Sequence, residues 1–195
     1  MSEIKVILKG FTKKITEKEW IASPNVILIK DSGKNILVDP GANPKLPDAL
    51  KKEGIKIEDI DMIFITHYHP DHLLNIRFFP NTDVAEGDLI HRNEKEFAFS
   101  NKIPGTNISV IPTPGHAHEH SSLIVKTKNG KICLAGDLWF WENGEEQKTD
   151  FNSLIKREDP FVKDKKALIK SRKKVLEISD YIFPAHGKMF KVEKK

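Results

Sequence analysis

Residues 64–75 read FITHYHPDHLLN, an apolar run that ends on three histidines and an aspartate within six residues: His67, His69, Asp71 and His72. Crowding them is costly, because protonated imidazoles repel one another and neutral ones compete for few hydrogen-bond partners. The cluster makes sense where something takes several nitrogen and oxygen donors at once. Residues 61–66, DMIFIT, are apolar enough for a buried strand. Alternate residues of an extended chain point the same way, so His67 and His69 reach one point beyond its end. Pro70 favours extended geometry at His69 and suits the first turn of a helix. Asp71 and His72 then open a helix and face a second point, so two adjacent metal positions fit this spacing better than one.

A metal takes three or more protein donors, and three further stretches offer them: His116 in PTPGHAHEH (112–120), Asp137 in CLAGDLWF (133–140) and His186 in FPAHGK (183–188). Each follows an apolar, strand-like run, which brings them to one rim of the sheets. Five histidines and two aspartates without a thiolate suit zinc, iron or manganese, and such sets leave positions open for water, whereas structural zinc sites are usually closed by cysteines. A pair of metals about 3.5–4 Å apart can hold a hydroxide and polarise the bond it attacks.

The rest of the chain is the expected scaffold. Its 195 residues, 38% apolar and 31% charged, read as one domain over 1–195. No apolar run reaches the length of a membrane span, the opening MSEIKVILKGFTKK reads as a first strand rather than a signal peptide, and one cysteine, Cys133, fits a reducing cytoplasm and a buried strand position. Further strands are expected at 26–30, 35–39, 108–113, 121–127, 131–137 and 180–187, and a short helix over 46–54. The basic excess behind the +4 net charge concentrates in 162–179. That stretch reads as an amphipathic helix with a solvated lysine face, the alternative being a surface for RNA.

Residues 9–25 are expected to form a loop, too long for a tight hairpin, bordering the site with Phe11 and Trp20 as substrate contacts. Residues 138–151 start beside Asp137, so Trp139, Phe140 and Trp141 are candidates for a pocket wall, a homodimer contact or core packing. His118 and His120 are read as flanking-loop residues, and His91 as a surface histidine.

THYHPDH, TPGHAH, AGD and PAHG, in this order, resemble the metallo-β-lactamase superfamily over nearly the whole chain. The resemblance implies an α/β fold, the αββα sandwich with two mixed β-sheets flanked by helices. Carried over by motif, His67, His69 and His116 hold a first metal and Asp71, His72 and His186 a second, with Asp137 bridging. Asp39 in LVDPGANP (37–44) matches an aspartate that fixes a ligand histidine in one tautomer. Two positions depart from the usual pattern: Leu74 stands where the family has glycine, and Ala185 replaces the glycine before the last histidine. Neither removes a donor. DHLLNIRFFP, AGDLWFWENG and SRKKVLEISDYIFPAHGKMFKV further resemble the subgroup around metallo-β-lactamase domain-containing protein 1.

Within that family, an aspartate at 137 argues against a true β-lactamase, and histidine at 69 against the diiron oxygen reductases. The short stretch after His186 argues against glyoxalase II, and the short gap from Asp137 to His186 against the RNA-cleaving relatives with a large inserted domain. The expected protein is a hydrolase with two zinc ions, iron or manganese being compatible with the same donors. A bridging hydroxide, oriented by Asp71, would attack an ester, thioester, lactone or phosphodiester, so the partner is a small molecule or RNA and no membrane. The rivals are a mononuclear iron dioxygenase acting on persulfides and a metal-binding protein without catalysis.

Overall fold

The computed structural model describes residues 1–193. The first half of the chain runs β1 (Glu3–Leu8), β2 (Phe11–Thr16), β3 (Glu19–Ser23), β4 (Val26–Asp31), β5 (Lys34–Val38), α1 (Leu46–Lys52), β6 (Met62–Ile65), α2 (Pro70–Leu73), β7 (Asp83–Glu86), β8 (Leu89–Arg92) and β9 (Lys95–Ala98). The second half adds β10 (Ser109–Pro112), β11 (Ser121–Thr127), β12 (Gly130–Leu134), α3 (Phe151–Lys156), α4 (Lys165–Ile178), β13 (Tyr181–Phe183) and β14 (Phe190–Lys191).

Two mixed sheets result. The first has the order β1-β4-β5-β6-β7-β8-β9 and the second the order β10-β11-β12-β13-β14. Pairing is parallel at β5–β6, β6–β7 and β12–β13 and antiparallel elsewhere. Strand periodicity explains how the layers stack. Ile27, Ile29, Ile36, Val38, Met62 and Phe64 project inward and meet Leu123, Val125, Ile132 and Leu134 of the other sheet. Their neighbours Val26, Leu28, Leu37 and Ile63 face outward and pack with Leu46 and Leu50 of α1. Across the second sheet, Ile124, Cys133 and Ile182 pack with Leu168, Val175 and Leu176 of α4. Both sheets are therefore covered on both faces, which is why their central strands are apolar without a polar alternation. The order of layers is helix, sheet, sheet, helix, the αββα sandwich expected from the sequence.

One expectation is corrected. Residues 9–25 are not an irregular loop: β2 and β3 form an antiparallel hairpin with Thr16 opposite Glu19 across a tight turn. The Thr16 hydroxyl accepts the Lys18 amide at 3.2 Å, and the Lys14 ammonium pairs with Glu17 at 3.0 Å. α4 carries the basic stretch as foreseen, with the Asp164 side chain accepting the Lys166 and Ala167 amides. Leu168, Val175 and Leu176 are buried, while Lys165, Lys166, Lys173 and Lys174 are exposed. Among the described residues no helix is long and apolar enough to cross a membrane.

Candidate metal centre

Strand ends from both sheets deliver the seven donors to one rim. β6 stops at Ile65, and His67 follows after Thr66. His69 is extended (φ −66°, ψ 136°) as the cap of α2, and Pro70 starts that helix, so Asp71 and His72 lie in its first turn. His116 sits in the loop after β10, where the Lys163 and Asp164 amides both donate to the Gly115 carbonyl at 2.8 and 2.9 Å. Asp137 follows β12 through Gly136 at φ +51°, where a Cβ would run into the His120 ring and the Thr66 side chain. His186 follows β13, and its loop is tied to the head of β4. The Asn25 amide donates to the Ala185 carbonyl at 2.7 Å, and Asn25 Nδ2 to the Pro184 and Gly187 carbonyls at 2.9 Å.

The donors fall into two groups, His67, His69, His116 and Asp137 in one and Asp71, His72 and His186 in the other. In the first, His69 Nδ1 lies 2.9 Å from His67 Nε2 and 3.0 Å from His116 Nε2. Asp137 Oδ2 lies 3.5 Å from His116 Nε2 and 3.8 Å from His67 Nε2. In the second, Asp71 Oδ2 is 3.3 Å from His186 Nε2 and 3.7 Å from His72 Nε2. The other oxygen of Asp137, Oδ1, is 3.4 Å from His72 Nε2 and 3.5 Å from His186 Nε2. One carboxylate thus presents one oxygen to each group.

These donors fit metal ions. His72 Nε2 and Asp137 Oδ1 are fully buried and have no hydrogen-bond partner, an arrangement that costs about 1–3 kcal/mol per group unless something else satisfies it. Donor–donor spacings near 3–3.8 Å are those of atoms that share a centre at about 2.0–2.2 Å each. The outward nitrogens of four of the five histidines are engaged, as ligand imidazoles require. His72 Nδ1 meets Asp39 Oδ2 at 2.9 Å, His116 Nδ1 meets Asp159 Oδ2 at 2.7 Å, His67 Nδ1 meets the Thr66 hydroxyl at 3.0 Å, and His186 Nδ1 donates to the Phe11 carbonyl at 3.2 Å. Asp39 also accepts the Thr66 amide and hydroxyl at 2.8 Å each, from a backbone at φ +46°.

The electrostatics match. Burial, reinforced by the His72 imidazole, holds His67 well below the usual histidine range. Burial would also depress His72, but the carboxylates of Asp137 and Asp39 raise it well above that range. Asp137 is buried, which favours the neutral acid, yet the imidazoles of His186 and His72 hold its carboxyl well below the ordinary value. Asp71 is kept low against its own burial by the His186 hydrogen bond. Ionised carboxylates facing imidazoles call for positive charge between them, which protons or a metal can supply.

The structure also places residues that the sequence did not single out. Asp159, in the loop between α3 and α4, is the partner of His116. His120 is not a mere flanking-loop residue: it is 1% exposed, shares a hydrogen bond with the Thr113 hydroxyl at 2.9 Å, and accepts the Asp137 amide on Nε2 at 3.1 Å. Burial and the nearby His116 push it down to about 3, so it stays a neutral acceptor. The sequence offered only the nearness of His120 to His116, because residues 115–119 bend instead of running as a strand whose alternation could be read.

A cavity of about 260 Å³ opens beside Asp71, Asp137 and His186, and Trp20, Phe140 and Phe161 form part of its wall. Trp20 stands where it was expected. Trp139 does not: it is fully buried between β12 and α3, with Nε1 donating to the Leu154 carbonyl at 2.8 Å. Trp141 is buried against Phe190 and, with Phe11, borders a separate groove of about 690 Å³. Phe11 serves the centre through its carbonyl rather than its ring. His118 belongs to neither donor group, and His91 pairs with Glu86 at 3.4 Å on the first sheet.

Against known proteins, the profile of the Metallo-beta-lactamase superfamily matches residues 22–102. Metallo-beta-lactamase domain-containing protein 1 of Xenopus laevis is 29% identical over 202 residues, 98% of this chain and 82% of that protein. The protein of the same name in Mus musculus is 30% identical over 80% of this chain, which spans only 61% of that protein's length. Among solved structures, a metallo-beta-lactamase of Thermotoga maritima superposes with a TM-score of 0.72 at 18% identity, over 97% of this chain and 99% of that one. A dizinc quorum-quenching lactonase superposes with a TM-score of 0.67 at 20% identity, over 90% of this chain and 78% of that one. At these identities the structural likeness is one of fold.

Proposed function

Because this chain belongs to the metallo-β-lactamase superfamily, we propose that it is a metal-dependent hydrolase with a dinuclear centre, acting on a carboxylic ester, thioester, lactone or phosphodiester. One observation carries the reading: Asp137 offers one oxygen to His67 and His116 and the other to His72 and His186. His67, His69 and His116 would hold one ion and Asp71, His72 and His186 the other, with Asp137 shared. When bound, such a pair supplies an acidified water and Lewis-acid polarisation of the scissile bond.

The chain's own residues do the rest. Asp71 is a quarter exposed and stands on the cavity wall. Its carboxyl is held ionised, so it can accept a hydrogen bond from the attacking water, aim a lone pair at the substrate and receive the proton. Asp39, Asp159, Thr66 and the Phe11 carbonyl fix the imidazoles, so no reorganisation is required when charge develops. The aromatic side of the cavity lowers the local dielectric around that charge. Zinc, iron and manganese all suit these donors, and zinc is our choice because a redox-inert Lewis acid is what hydrolysis requires.

The test is metal content after purification without added metal or affinity tag, followed by assay on activated esters and lactones. About two zinc ions per chain, with hydrolysis lost in Asp71→Ala, is the expected result. One iron per chain with no zinc and no hydrolysis would overturn the reading in favour of oxygen-dependent chemistry on persulfides.

A further inference from the structure

We propose that the cavity beside the donors selects a cationic substrate, a small ester or lactone whose alkylammonium group sits among Trp20, Phe140 and Phe161 and faces the Glu142 carboxylate. The inference rests on the hydrolase reading of the same site and narrows its substrate.

Three features of the wall support it. The first is its aromatic lining. Phe140 and Phe161 lie with ring centroids 6.3 Å apart at 44°, and Trp20 is 46% and Phe161 47% exposed, so both rings present open surface at the cavity mouth. A quaternary or alkylated ammonium is the ion such rings attract, through their negative faces. The Trp20 ring already takes one ammonium: Lys14 Nζ stands 5.6 Å from its centroid and is neutralised by Glu17 at 3.0 Å.

The second feature is charge. Apart from the candidate metal donors, the ionisable group of the wall is Glu142, which has no ion-pair partner among the described residues. With Asp71 and Asp137 committed to the metals, the carboxylate left to meet a substrate is this one. Glu142 also borders the adjoining groove of about 780 Å³, where the nearest guanidinium is already spent. Arg157 clasps Glu145 through two 2.7 Å hydrogen bonds and donates its Nε to the Phe140 carbonyl at 2.5 Å.

The third feature is where the lysines lie. Lys165, Lys166, Lys173 and Lys174 stand on α4, and no lysine or arginine is among the residues lining the cavity; Lys14 and Arg157, which stand 5.6 and 5.8 Å from the centroids of the wall rings Trp20 and Phe140, are each paired with a glutamate. Away from the donors, an anionic substrate chain would meet Glu142 without a counter-charge, whereas an ammonium is paired by it. RNA is disfavoured on the same ground.

The probe is phenyltrimethylammonium, titrated against the fluorescence of exposed Trp20, with tert-butylbenzene as its uncharged isostere. We expect saturable quenching by the cation, weakened about two- to fivefold in E142Q and further in E142K. Glu142 is exposed, and the emission of buried Trp139 and Trp141 reports whether each variant is folded. No saturable quenching, or equal affinity in wild type and folded E142K, overturns the proposal. Turnover is then compared on acetylthiocholine and its neutral analogue 3,3-dimethylbutyl thioacetate. Cleavage of both with the same kcat/KM ratio in wild type and E142K keeps the hydrolase and removes the ammonium site. Glu142-dependent quenching without turnover of either ester keeps the ammonium site and removes the hydrolase.

Discussion

Asp39 touches none of the cavity, yet it sets the geometry of His72, a donor of the candidate centre beside it. It binds the Thr66 amide, the Thr66 hydroxyl and His72 Nδ1 at once, so one carboxylate fixes both the end of β6 and the tautomer of a buried imidazole. Asp39→Ala leaves all three without an acceptor. We expect affinity for the second metal to fall about 10- to 100-fold, read by competition with a chromophoric chelator, while the first is held nearly as before. Asp159 stands in the same relation to His116. The two were not equally visible in the sequence. Asp39 sits in LVDPGANP directly after an apolar strand, whereas Asp159 lies in REDP, an aperiodic charged loop where nothing distinguishes it from Glu158. His120 escaped for a related reason: burial depends on the partner sheet, which no local pattern reveals.

At the scale of elements, the apolar runs of β4, β5, β6, β11 and β12 were plain because both faces of each are covered, as was α4 from its 3.6-residue stripe. The β2–β3 hairpin and β7 to β9 were not. Lys95–Ala98 is exposed at every residue, and β2 is largely exposed beyond Thr12, so neither carries the hydrophobic alternation that marks a half-buried strand. Where α4 meets the donor loop, the packing is unusually close. Gly115 at φ +142° lets the His116 loop touch the Leu168 backbone, and a Cβ there would collide with it. Gly115→Ala should cost about 3 kcal/mol in chemical denaturation, through strain and overpacking together. It should also shift His116 and so weaken the first metal. A stability loss below about 0.5 kcal/mol would show that the α4 contact is not what holds this loop.

For the whole molecule, Cys133 is a convenient reporter. It is fully buried in β12, and burial pushes its thiol up to about 12, so the folded protein should not react with a thiol reagent at pH 8. Labelling then measures opening of the second sheet against α4. Any ion held by the donors stabilises the native state by mass action. Chelation should therefore speed labelling and lower Tm, and restored zinc should reverse both. Labelling at the same rate with and without chelator would mean that the centre and the core open independently.

The two sheets are also two contiguous lengths of chain: residues 3–98 build one and 109–191 the other. The donors divide along the same seam, with His67, His69, Asp71 and His72 from the earlier length and His116, Asp137 and His186 from the later. Neither length owns a complete site. An ion seated there is a rivet through two plates, and each group of donors draws on both. Parting the plates would spill the ions, and losing the ions would loosen the plates. Loaded with metal, the centre would be a record of correct assembly as well as a place for chemistry, since a chain whose halves have not met would lack half the donors of either ion.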